Sequence, residues 1–213
     1  MIRAFPGARA GVFPGLVDAM FRCRAQTFHQ RLGWDVVVKD GYERDRFDDE
    51  NPLYIVSVDP DTEEYWGSIR ILPTTGPNML RDVFSCLLAD GDVVESATIW
   101  EASRICAVSK YAQPERAKGR VNYVVSEMLV AICELAPLAG LTHIVGVCDA
   151  PTFRVLKAAG CEPEMIGTPR RIGVTMCYAG LFDAGEATER ALREGPGIEG
   201  SVLAPGAREL MMA

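Results

Sequence analysis

The sequence predicts an α/β (α+β) fold in which helices lie on both faces of a mixed β-sheet. Short apolar runs typical of strands alternate along the chain with segments of helical periodicity. Residues 53–58 and 65–72 are two such runs joined by the turn sequence Asp59-Pro-Asp-Thr, so they should pair as a hairpin. The later strands are separated by predicted helices, which is the pattern of a layered sheet with helices packed against it.

Composition and charge narrow the class of protein. The 213 residues, 48% of them hydrophobic, can form the core of one domain, and we expect a single domain over residues 1–213 with residues 195–213 as a surface tail. The net charge of −7 disfavours a nucleic-acid partner, which normally meets a basic surface. No apolar run is long enough to span a membrane, and the first residues lack the apolar block of a signal peptide, so we expect a cytoplasmic protein.

The cysteines and histidines give no indication of a metal site. Seven cysteines are scattered along the chain without a Cys-x-x-Cys pair, and the two histidines are His29 and His143. Such spacing favours reduced, mostly buried thiols over a disulfide framework or a zinc site. We therefore expect neither a metal nor a bound cofactor. The oligomeric state does not follow from the sequence.

The N-terminal half should contain a long helix, a charged loop and the hairpin. Residues 2–5 suit a short strand, and apolar residues recur at helical spacing over 14–31 until Gly33 ends the helix. Residues 35–51 carry many charges and few long apolar side chains, so we expect a loop that becomes ordered only when a ligand binds. Residues 79–88 should form one or two short helices.

Three charged residues fall within predicted strands. Arg70 should face away from the isoleucines on either side of it, because side chains alternate along a strand. In the strand at 98–108, alternation places Glu101 and Ser103 on one face and Arg104 on the other, unless a bulge shifts the register. A charge buried in a central strand must be paired or functional, because an isolated buried charge is costly. The alternative to a functional role is a purely structural ion pair among these residues.

The C-terminal half alternates helices and strands. A basic turn at 116–120 leads into it. The predicted elements are, in order, a helix at 121–136, a strand at 142–148, a helix at 151–159, a strand at 171–178 and a helix at 184–194. Residues 195–207 are rich in glycine and proline, which indicates a segment lying on the surface or on a partner.

Side chains suited to a small charged ligand are concentrated near the end of the first helix and in the acidic loop. They are Arg24, Phe28, Trp34, Glu43, Asp45 and Asp48. Aromatic faces attract a cation or stack on a flat ring, carboxylates pair with an ammonium, and an arginine grips a carboxylate as a fork. The set predicts a site for a positively charged ligand that carries an aromatic ring. The alternative is an ordinary helix face followed by a solvated acidic loop.

The basic turn is a candidate anion site, since free backbone N–H groups and the helix dipole point outward at a helix start. It resembles a degenerate form of the pyrophosphate loop of the GCN5-related N-acetyltransferases, Arg/Gln-x-x-Gly-x-Gly/Ala, with Val121 at the second small position. The resemblance implies a three-layer sandwich whose central strands splay apart around a pantetheine arm. The candidate carrier and pantetheine residues are Arg116, Lys118, Gly119 and Arg120. The alternative is a plain surface turn.

Over residues 20–160 the chain resembles the acyl-homoserine-lactone synthases, the LuxI-type autoinducer synthases. Two strings carry part of the match, Leu72-Pro-Thr-Thr with the following Met79-to-Phe84 helix, and Trp100-Glu-x-Ser-Arg104. The single positions that agree in order and spacing are Arg24, Phe28, Trp34, Glu43, Asp45, Asp48, Arg70, Glu101 and Arg104.

The resemblance implies a reaction between S-adenosylmethionine and an acyl thioester. The α-amine attacks the thioester carbonyl, and the methionine carboxylate then displaces the sulfonium carbon, which yields an N-acyl homoserine lactone, 5′-methylthioadenosine and a free thiol. Glu101, or Glu43 through a water, is the candidate base, with Arg104 as the third catalytic residue. The implied S-adenosylmethionine residues are Arg24, Phe28, Trp34, Asp45, Asp48 and Arg70.

The resemblance also implies an acyl pocket made of apolar residues that flank the cleft. Its expected members are Met79, Leu80, Phe84, Cys106, Val125, Met128, Leu129, Gly146, Cys148 and Phe153. Family members that favour 3-oxo chains often have a threonine where this chain has Gly146, so we expect a long chain without a 3-oxo group. We favour acyl carrier protein as the donor over acyl-CoA. The acidic carrier would then dock on exposed basic residues, which include Arg154, Lys157, Arg170 and Arg171.

Two other functions compete with this interpretation. One is a GCN5-related acyltransferase that uses acyl-CoA and a different amine, which would explain the fold and the basic turn but not the residues between Arg24 and Asp48. The other is a binding protein that has lost catalysis. Keeping Glu101 and two arginines inside strands would be costly without a role, which disfavours the second alternative.

Overall fold

A seven-stranded mixed sheet forms the centre of the molecule in a computed structural model that describes residues 1–111 and 122–212. The strands are β1 Ile2–Pro6, β2 Val38–Lys39, β3 Tyr42–Glu43, β4 Leu53–Val58, β5 Tyr65–Pro73, β6 Ile99–Ala107, β7 His143–Asp149, β8 Glu164–Ile172 and β9 Thr175–Asp183. The order in the large sheet is β1-β4-β5-β6-β7-β9-β8, and β2 and β3 form a separate hairpin. Only β6 and β7 pair in parallel among the strands of the described ranges, so the expected mixed sheet is confirmed.

The helices cover both faces of the sheet, as the sequence predicts. They are α1 Pro14–Arg24, α2 Met79–Asp82, α3 Tyr123–Ala139, α4 Ala150–Ala158, α5 Glu186–Glu194 and α6 Ala207–Met212. The longest helix, α3, packs on the face that carries Ile69 and Ile71 and is buried along most of its length. Asn122 caps its first turn by accepting a hydrogen bond from the Val125 N–H at 3.2 Å. In the described residues no helix is long and apolar enough to cross a membrane.

The predicted first helix is correct in extent but changes its pitch part of the way along. α1 ends at Arg24, and residues Ala25–Arg31 continue it as a π-helix. Pro14 occupies the first helical turn, where its missing N–H leaves no hydrogen bond unmade. π-helical turns often occur at functional sites because they alter which side chains project from one face.

The central strands β6 and β7 separate after a short paired stretch. Their parallel pairing joins Ile99–Ala102 to His143–Gly146 only. Beyond that point β6 stays on β5 and β7 stays on β9, so a cleft opens between residues 103–107 and 147–149. The splayed sheet implied by the acetyltransferase resemblance is therefore present.

A bulge in β6 corrects the predicted side-chain alternation. Ser68 of β5 pairs with Cys106 while Arg70 pairs with Ser103, so β6 contributes one extra residue between these pairs. Arg104 lies at this point with a φ of 54°, in the left-handed region that few residues other than glycine adopt. Regular alternation, which would place Arg104 on the face opposite Glu101, is broken by this bulge, the exception that the sequence leaves open, and Arg104 and Glu101 both contact Met79.

The C-terminal part departs from the sequence prediction in two places. The strand expected at 171–178 overlaps the last two residues of β8 and the first four of β9, with a turn at 173–174 between them, and the rest of β8 was missed. Residues 195–207 are not a tail lying on the surface, since Ile198, Val202 and Ala204 are buried and Leu203 forms a bridge to Ile2.

Candidate active site

A cavity of about 440 Å³ occupies the cleft between the diverging strands. β6 contributes Glu101 and Arg104 to its wall, and β7 contributes Cys148. The π-helical segment contributes Phe28, and Trp34 follows shortly after it. The strand cluster and the N-terminal cluster, which are far apart in sequence, therefore meet at one cavity.

A wider cavity of about 1110 Å³ adjoins the first on the side of the acidic segment. Glu43 and Asp45 line this second cavity. Trp34, Met79 and Arg104 line both cavities, so they form the boundary between them. Two substrates could approach each other across this boundary.

Three arginines and three carboxylates form a closed ring of ion pairs beside the cleft. The ring consists of Arg24, Glu43, Arg104, Asp45, Arg70 and Asp48. Arg24 Nε lies 2.6 Å from Glu43 Oε2, and its two terminal nitrogens lie 2.8 and 2.9 Å from the Asp48 carboxylate. Arg104 Nη2 lies 2.8 Å from both Glu43 Oε1 and Asp45 Oδ2. The six charges cancel, which is the condition under which buried charges are tolerated.

Most of the ring is removed from solvent. Arg24, Glu43 and Arg70 are each 1% exposed, whereas the Asp45 side chain is 20% exposed. Burial opposes ionisation of Asp48, but hydrogen bonds from Arg24 and the positive charges of Arg24 and Arg70 hold its pKa well below the usual range. Asp48 also accepts a hydrogen bond from the Tyr54 hydroxyl at 2.9 Å. Asp48 therefore has its oxygens committed within the protein, while Asp45 still faces a cavity.

The acidic segment is fixed by contacts within the chain rather than left as an extended loop. Residues Arg46–Asp49 form a 3₁₀ turn that Asp45 and Asp48 cap reciprocally. Asp45 accepts from the Phe47 N–H at 3.0 Å, and Asp48 accepts from the Asp45 N–H at 2.9 Å. The expectation that residues 35–51 order only on ligand binding is not supported by this geometry, because the ring ties the segment to α1 and to the sheet.

Glu101 is a buried carboxylate at the wall of the first cavity. It is 1% exposed and accepts hydrogen bonds from the N–H groups of Met79, at 2.8 Å, and Leu80, at 2.5 Å. Burial raises the pKa of Glu101, although these two bonds and the charges of Arg70 and Arg104 act in the opposite direction. A carboxylate with a raised pKa accepts a proton more readily, so Glu101 has the properties of a general base.

Glu43 differs from Glu101 in its surroundings. Both of its carboxylate oxygens accept hydrogen bonds from arginines, Arg24 on one side and Arg104 on the other. Glu43 is therefore held between two guanidinium groups as part of the ring, whereas Glu101 lines the first cavity. Of the two candidate bases, the geometry favours Glu101.

The residues expected in the acyl pocket separate into three groups. Met79, Phe84, Cys106, Val125 and Cys148 line the 440 Å³ cavity. Leu129 and Gly146 line a smaller apolar cavity of about 70 Å³ behind it, which Cys148 also borders. Leu80, Met128 and Phe153 line neither cavity, because Leu80 and Met128 are core residues at 1% and 0% exposure and Phe153 packs on the Tyr178 ring.

The residues expected to bind S-adenosylmethionine separate in a similar way. Phe28 and Trp34 have ring centroids 5.5 Å apart and both line the first cavity, and Asp45 lines the second. Arg24, Asp48 and Arg70 line neither of these two cavities and contact the ring partners instead. Their placement suits residues that hold the site in position rather than residues that touch a ligand.

Two capping residues of the site were not identified from the sequence, and Met79, expected only as part of the acyl pocket, also contacts two arginines of the ion-pair ring. The Met79 sulfur accepts from both Arg70 Nη2 at 3.3 Å and Arg104 Nη1 at 3.2 Å, so it separates the two guanidinium groups. Asn122 and Asp149 cap α3 and α4 and line the first cavity. Their signal was present, since Asn or Asp directly before an apolar helix typically marks a cap.

The expected carrier and pantetheine residues Arg116, Lys118, Gly119 and Arg120 lie outside the described residues. The other basic residues proposed for docking are on the surface. Arg154, Lys157, Arg170 and Arg171 are all exposed, and Lys157 forms an ion pair with Glu162 at 2.6 Å.

Comparison with known proteins places this site in a family. The sequence profile described as "Autoinducer synthase" matches residues 14–192. An acyl-homoserine-lactone synthase of Rhizobium etli is 38% identical over 178 residues, which cover 83% of this chain and 81% of that protein. Among solved structures, MesI is described as a CoA-dependent acyl-homoserine lactone synthase. It superposes on this chain with a TM-score of 0.81 at 25% sequence identity, and the match covers 97% of this chain and 100% of the MesI chain.

Two more structures extend the comparison. TofI was solved in a ternary complex with an inhibitor and 5′-methylthioadenosine (MTA in its description). Its TM-score to this chain is 0.71 at 31% identity, and the match covers 92% of this chain and 98% of the TofI chain. A structure from Lactobacillus plantarum described as an N-acetyltransferase has a TM-score of 0.54 at 16% identity, covering 86% of this chain and 98% of its own, which supports the acetyltransferase-like fold alone. This chain belongs to the autoinducer synthase family, the acyl-homoserine-lactone synthases, and is an acyltransferase.

Proposed function

We propose that this enzyme transfers an acyl group from a thioester to the α-amine of S-adenosylmethionine and then closes the lactone ring with release of 5′-methylthioadenosine. The observation that carries the proposal is a buried carboxylate of raised pKa, Glu101, at the wall of a cleft between splayed strands. The 5′-methylthioadenosine complex of TofI supports the same product for this chain.

The first chemical step is removal of a proton from the ammonium group of S-adenosylmethionine. Glu101 accepts this proton, directly or through one water, and the free amine attacks the thioester carbonyl. The N–C bond forms as the C–S bond breaks, and the proton from the amine ends on the carrier thiol. Much of the rate comes from holding the amine and the carbonyl together in the cleft.

The negative charge that develops on the thioester oxygen needs hydrogen-bond donors. The edges of β6 and β7 that face the cleft are unpaired to each other beyond Ala102 and Gly146. We assign the oxyanion-stabilising role to a backbone N–H on one of these edges, because such donors need no reorganisation during the reaction.

S-adenosylmethionine binds at the boundary of the two cavities in this proposal. The Phe28 and Trp34 rings contact the adenine or the sulfonium, since aromatic faces attract cations. Asp45, which keeps 20% exposure, pairs with the ammonium. Arg24, Asp48, Arg70 and Glu43 keep these groups in position through the ion-pair ring. The second step, lactonisation, then needs no protein nucleophile, because the substrate carboxylate attacks its own γ-carbon.

The acyl chain occupies the 440 Å³ cavity and extends toward the smaller cavity at Gly146. The small cavity is almost wholly apolar in its lining, with Ile144, Leu129 and Phe182 among its walls, which favours an unsubstituted hydrocarbon over a 3-oxo group. A β-carbon at position 146 would lie 3.1 Å from the Ala102 carbonyl oxygen, so glycine keeps this region open. We propose a long acyl chain without a 3-oxo group.

The identity of the acyl carrier is part of the proposal. We favour acyl carrier protein, because Arg154, Lys157, Arg170 and Arg171 are exposed and an acidic carrier needs a basic surface. Acyl-CoA is the alternative, and MesI, a relative at 25% identity, is described as CoA-dependent. The seven cysteines are free, which is consistent with our proposal of a cytoplasmic location.

One incubation tests the proposal. The enzyme is mixed with S-adenosylmethionine and a panel of saturated and 3-oxo thioesters on acyl carrier protein and on CoA, and products are followed by mass spectrometry. We expect 5′-methylthioadenosine and an acyl homoserine lactone together, most rapidly from a long saturated acyl carrier protein. Thiol release without 5′-methylthioadenosine would refute the proposal and favour acyl transfer to another amine.

A further inference from the structure

A pair of buried thiols lies beneath the ion-pair ring. Cys23 is in α1, directly before Arg24, and Cys106 is in β6, two residues after Arg104. The thiols are 6% and 3% exposed and belong to one buried cluster, formed where α1 packs on the sheet and contacts β6. These two residues therefore join the helix and the strand that carry two arginines of the ring.

The surroundings of the two sulfur atoms are unequal. The Cys106 sulfur lies 3.4 Å from the Tyr65 hydroxyl and 3.5 Å from the Ser68 hydroxyl. The Cys23 sulfur lies 4.0 Å from the Thr27 hydroxyl. Hydrogen bonds from Cys23, Ser68 and Tyr65 and the charge of Arg24 lower the pKa of Cys106 against the effect of burial, whereas the bond to Cys106 and burial raise that of Cys23. Cys106 is the more readily ionised of the pair.

Cys106 also has a route to small molecules. It lines the 440 Å³ cavity, next to Phe28 and Arg104. Cys148 lines the same cavity on the opposite strand, but burial raises the pKa of its thiol to about 12. A thiol reacts with oxidants through its thiolate, so the two cavity cysteines should differ sharply in reactivity.

We propose that Cys106 and Cys23 form a modification site for hydroperoxides, in which Cys106 is oxidised and Cys23 closes a reversible disulfide. The Cys106 thiolate attacks the peroxide oxygen, the O–O bond breaks, and one water leaves once the departing hydroxide takes up a proton. The Cys23 thiol then attacks the sulfenic sulfur, the S–O bond breaks and a second water leaves. Two thiols and one hydrogen peroxide become one disulfide and two waters.

The disulfide has a consequence for the proposed synthase activity. It draws Cys106 away from the hydroxyl groups of Tyr65 and Ser68 and links β6 directly to α1. The Arg104 bulge lies two residues away on the same strand, so the ion-pair ring shifts with it. We expect turnover to fall by about tenfold or more, because a displacement of ~1 Å in a catalytic site can cost on the order of a hundredfold.

The test follows the thiols and the turnover separately. A Cys86→Ser background removes an exposed thiol, and the protein is treated with hydrogen peroxide, then digested without reduction. We expect a peptide pair linked through Cys23 and Cys106, with turnover restored by dithiothreitol. Cys23→Ser should keep its basal turnover but lose the link, and dimedone should then trap a sulfenic acid on Cys106. Cys148→Ser should still form the Cys23–Cys106 link.

Three results would overturn the inference. The first is a Cys106 thiol that stays free after the exposed Met165 has oxidised. The second is dimedone labelling of Cys148 instead of Cys106. The third is a disulfide between Cys106 and another cysteine that forms as readily in Cys23→Ser. The disulfide is measured by mass and does not depend on any substrate. Its failure is therefore distinguishable from failure of the proposed synthase reaction, which is assayed on the reduced, untreated protein.

Discussion

The ion-pair ring predicts that two adjacent aspartates differ greatly in their contribution to stability. The Asp48 carboxylate is fully buried and accepts hydrogen bonds from Arg24, at 2.8 and 2.9 Å, from Arg70, at 3.0 Å, and from Tyr54. Its neighbour Asp49 pairs with Arg44 at the surface, where the two side chains are 67% and 59% exposed. Asp48→Asn leaves two buried guanidinium groups short of one negative charge, whereas Asp49→Asn loses only a solvated pair.

The expected magnitudes follow from burial. Removing one partner of a buried pair costs about 3–5 kcal/mol of unfolding free energy. An exposed pair contributes about 0–1 kcal/mol. In a chain of this size each kcal/mol lowers Tm by about 2–4 °C, so Asp48→Asn should lower Tm by about 6–20 °C and Asp49→Asn by less than about 4 °C.

Thermal and urea unfolding of the two variants, followed by circular dichroism, measure this difference. Because the folded-state pKa of Asp48 is depressed, its stabilisation is fully present above the ordinary aspartate pKa of ~3.9 and is lost as the pH falls through the folded value. Asp48→Asn should therefore flatten the loss of stability below about pH 4. If the two variants unfold within about 1 kcal/mol of each other, the ring does not have the energetic role assigned to it.

Three further substitutions test individual parts of the site. Glu101→Gln should lower kcat by about 10²–10⁴-fold with an unchanged circular dichroism spectrum, and an undiminished kcat would exclude Glu101 as the base. In the unmodified enzyme the acid limb of kcat should have its midpoint above the ~4.3 of ordinary glutamate, because burial raises the pKa of Glu101 and the base must be ionised. Trp34→Ala should raise KM for S-adenosylmethionine by about tenfold. Val93→Ala, at a residue that is 61% exposed and lines neither cavity, should not; equal KM values in both variants would contradict the pocket assignment. Gly146→Ala should shift the preference toward shorter chains by about fourfold in kcat/KM per methylene, and an unchanged chain-length profile would argue against the acyl route.

The sequence indicated which charged residues meet, but not how each is used. Spacing placed Arg70 on the correct face, because regular alternation holds up to that point of β5. It failed for Arg104, since a bulge with a positive φ at a non-glycine residue has no local signal in the sequence. Asp45 and Asp48 also have the same side chain, and only the tertiary contacts show that one is committed to the ring and the other faces a cavity.

The missed elements share one physical cause: contacts with distant parts of the chain, rather than the local sequence, determine their structure. β8 is largely exposed and contains Gly167, Pro169 and two arginines, so it lacks the alternating apolar pattern of a strand and owes its form to pairing with β9. Gly167 interrupts the strand pattern, because its φ of +73° and its close approach to the Leu87 carbonyl require glycine. In the Gly- and Pro-rich segment, Ile198 and Val202 are buried by contacts with distant elements that composition does not reveal.

The most direct test of the account is the stoichiometry of products in the unmodified enzyme and in Glu101→Gln. Acyl homoserine lactone, 5′-methylthioadenosine and free carrier thiol are quantified over time with S-adenosylmethionine and a long saturated thioester. The account predicts equal amounts of the three products from the unmodified enzyme and a parallel loss of all three in the folded variant. Unequal amounts, with thiol forming faster than 5′-methylthioadenosine, or unchanged rates in Glu101→Gln, would contradict it.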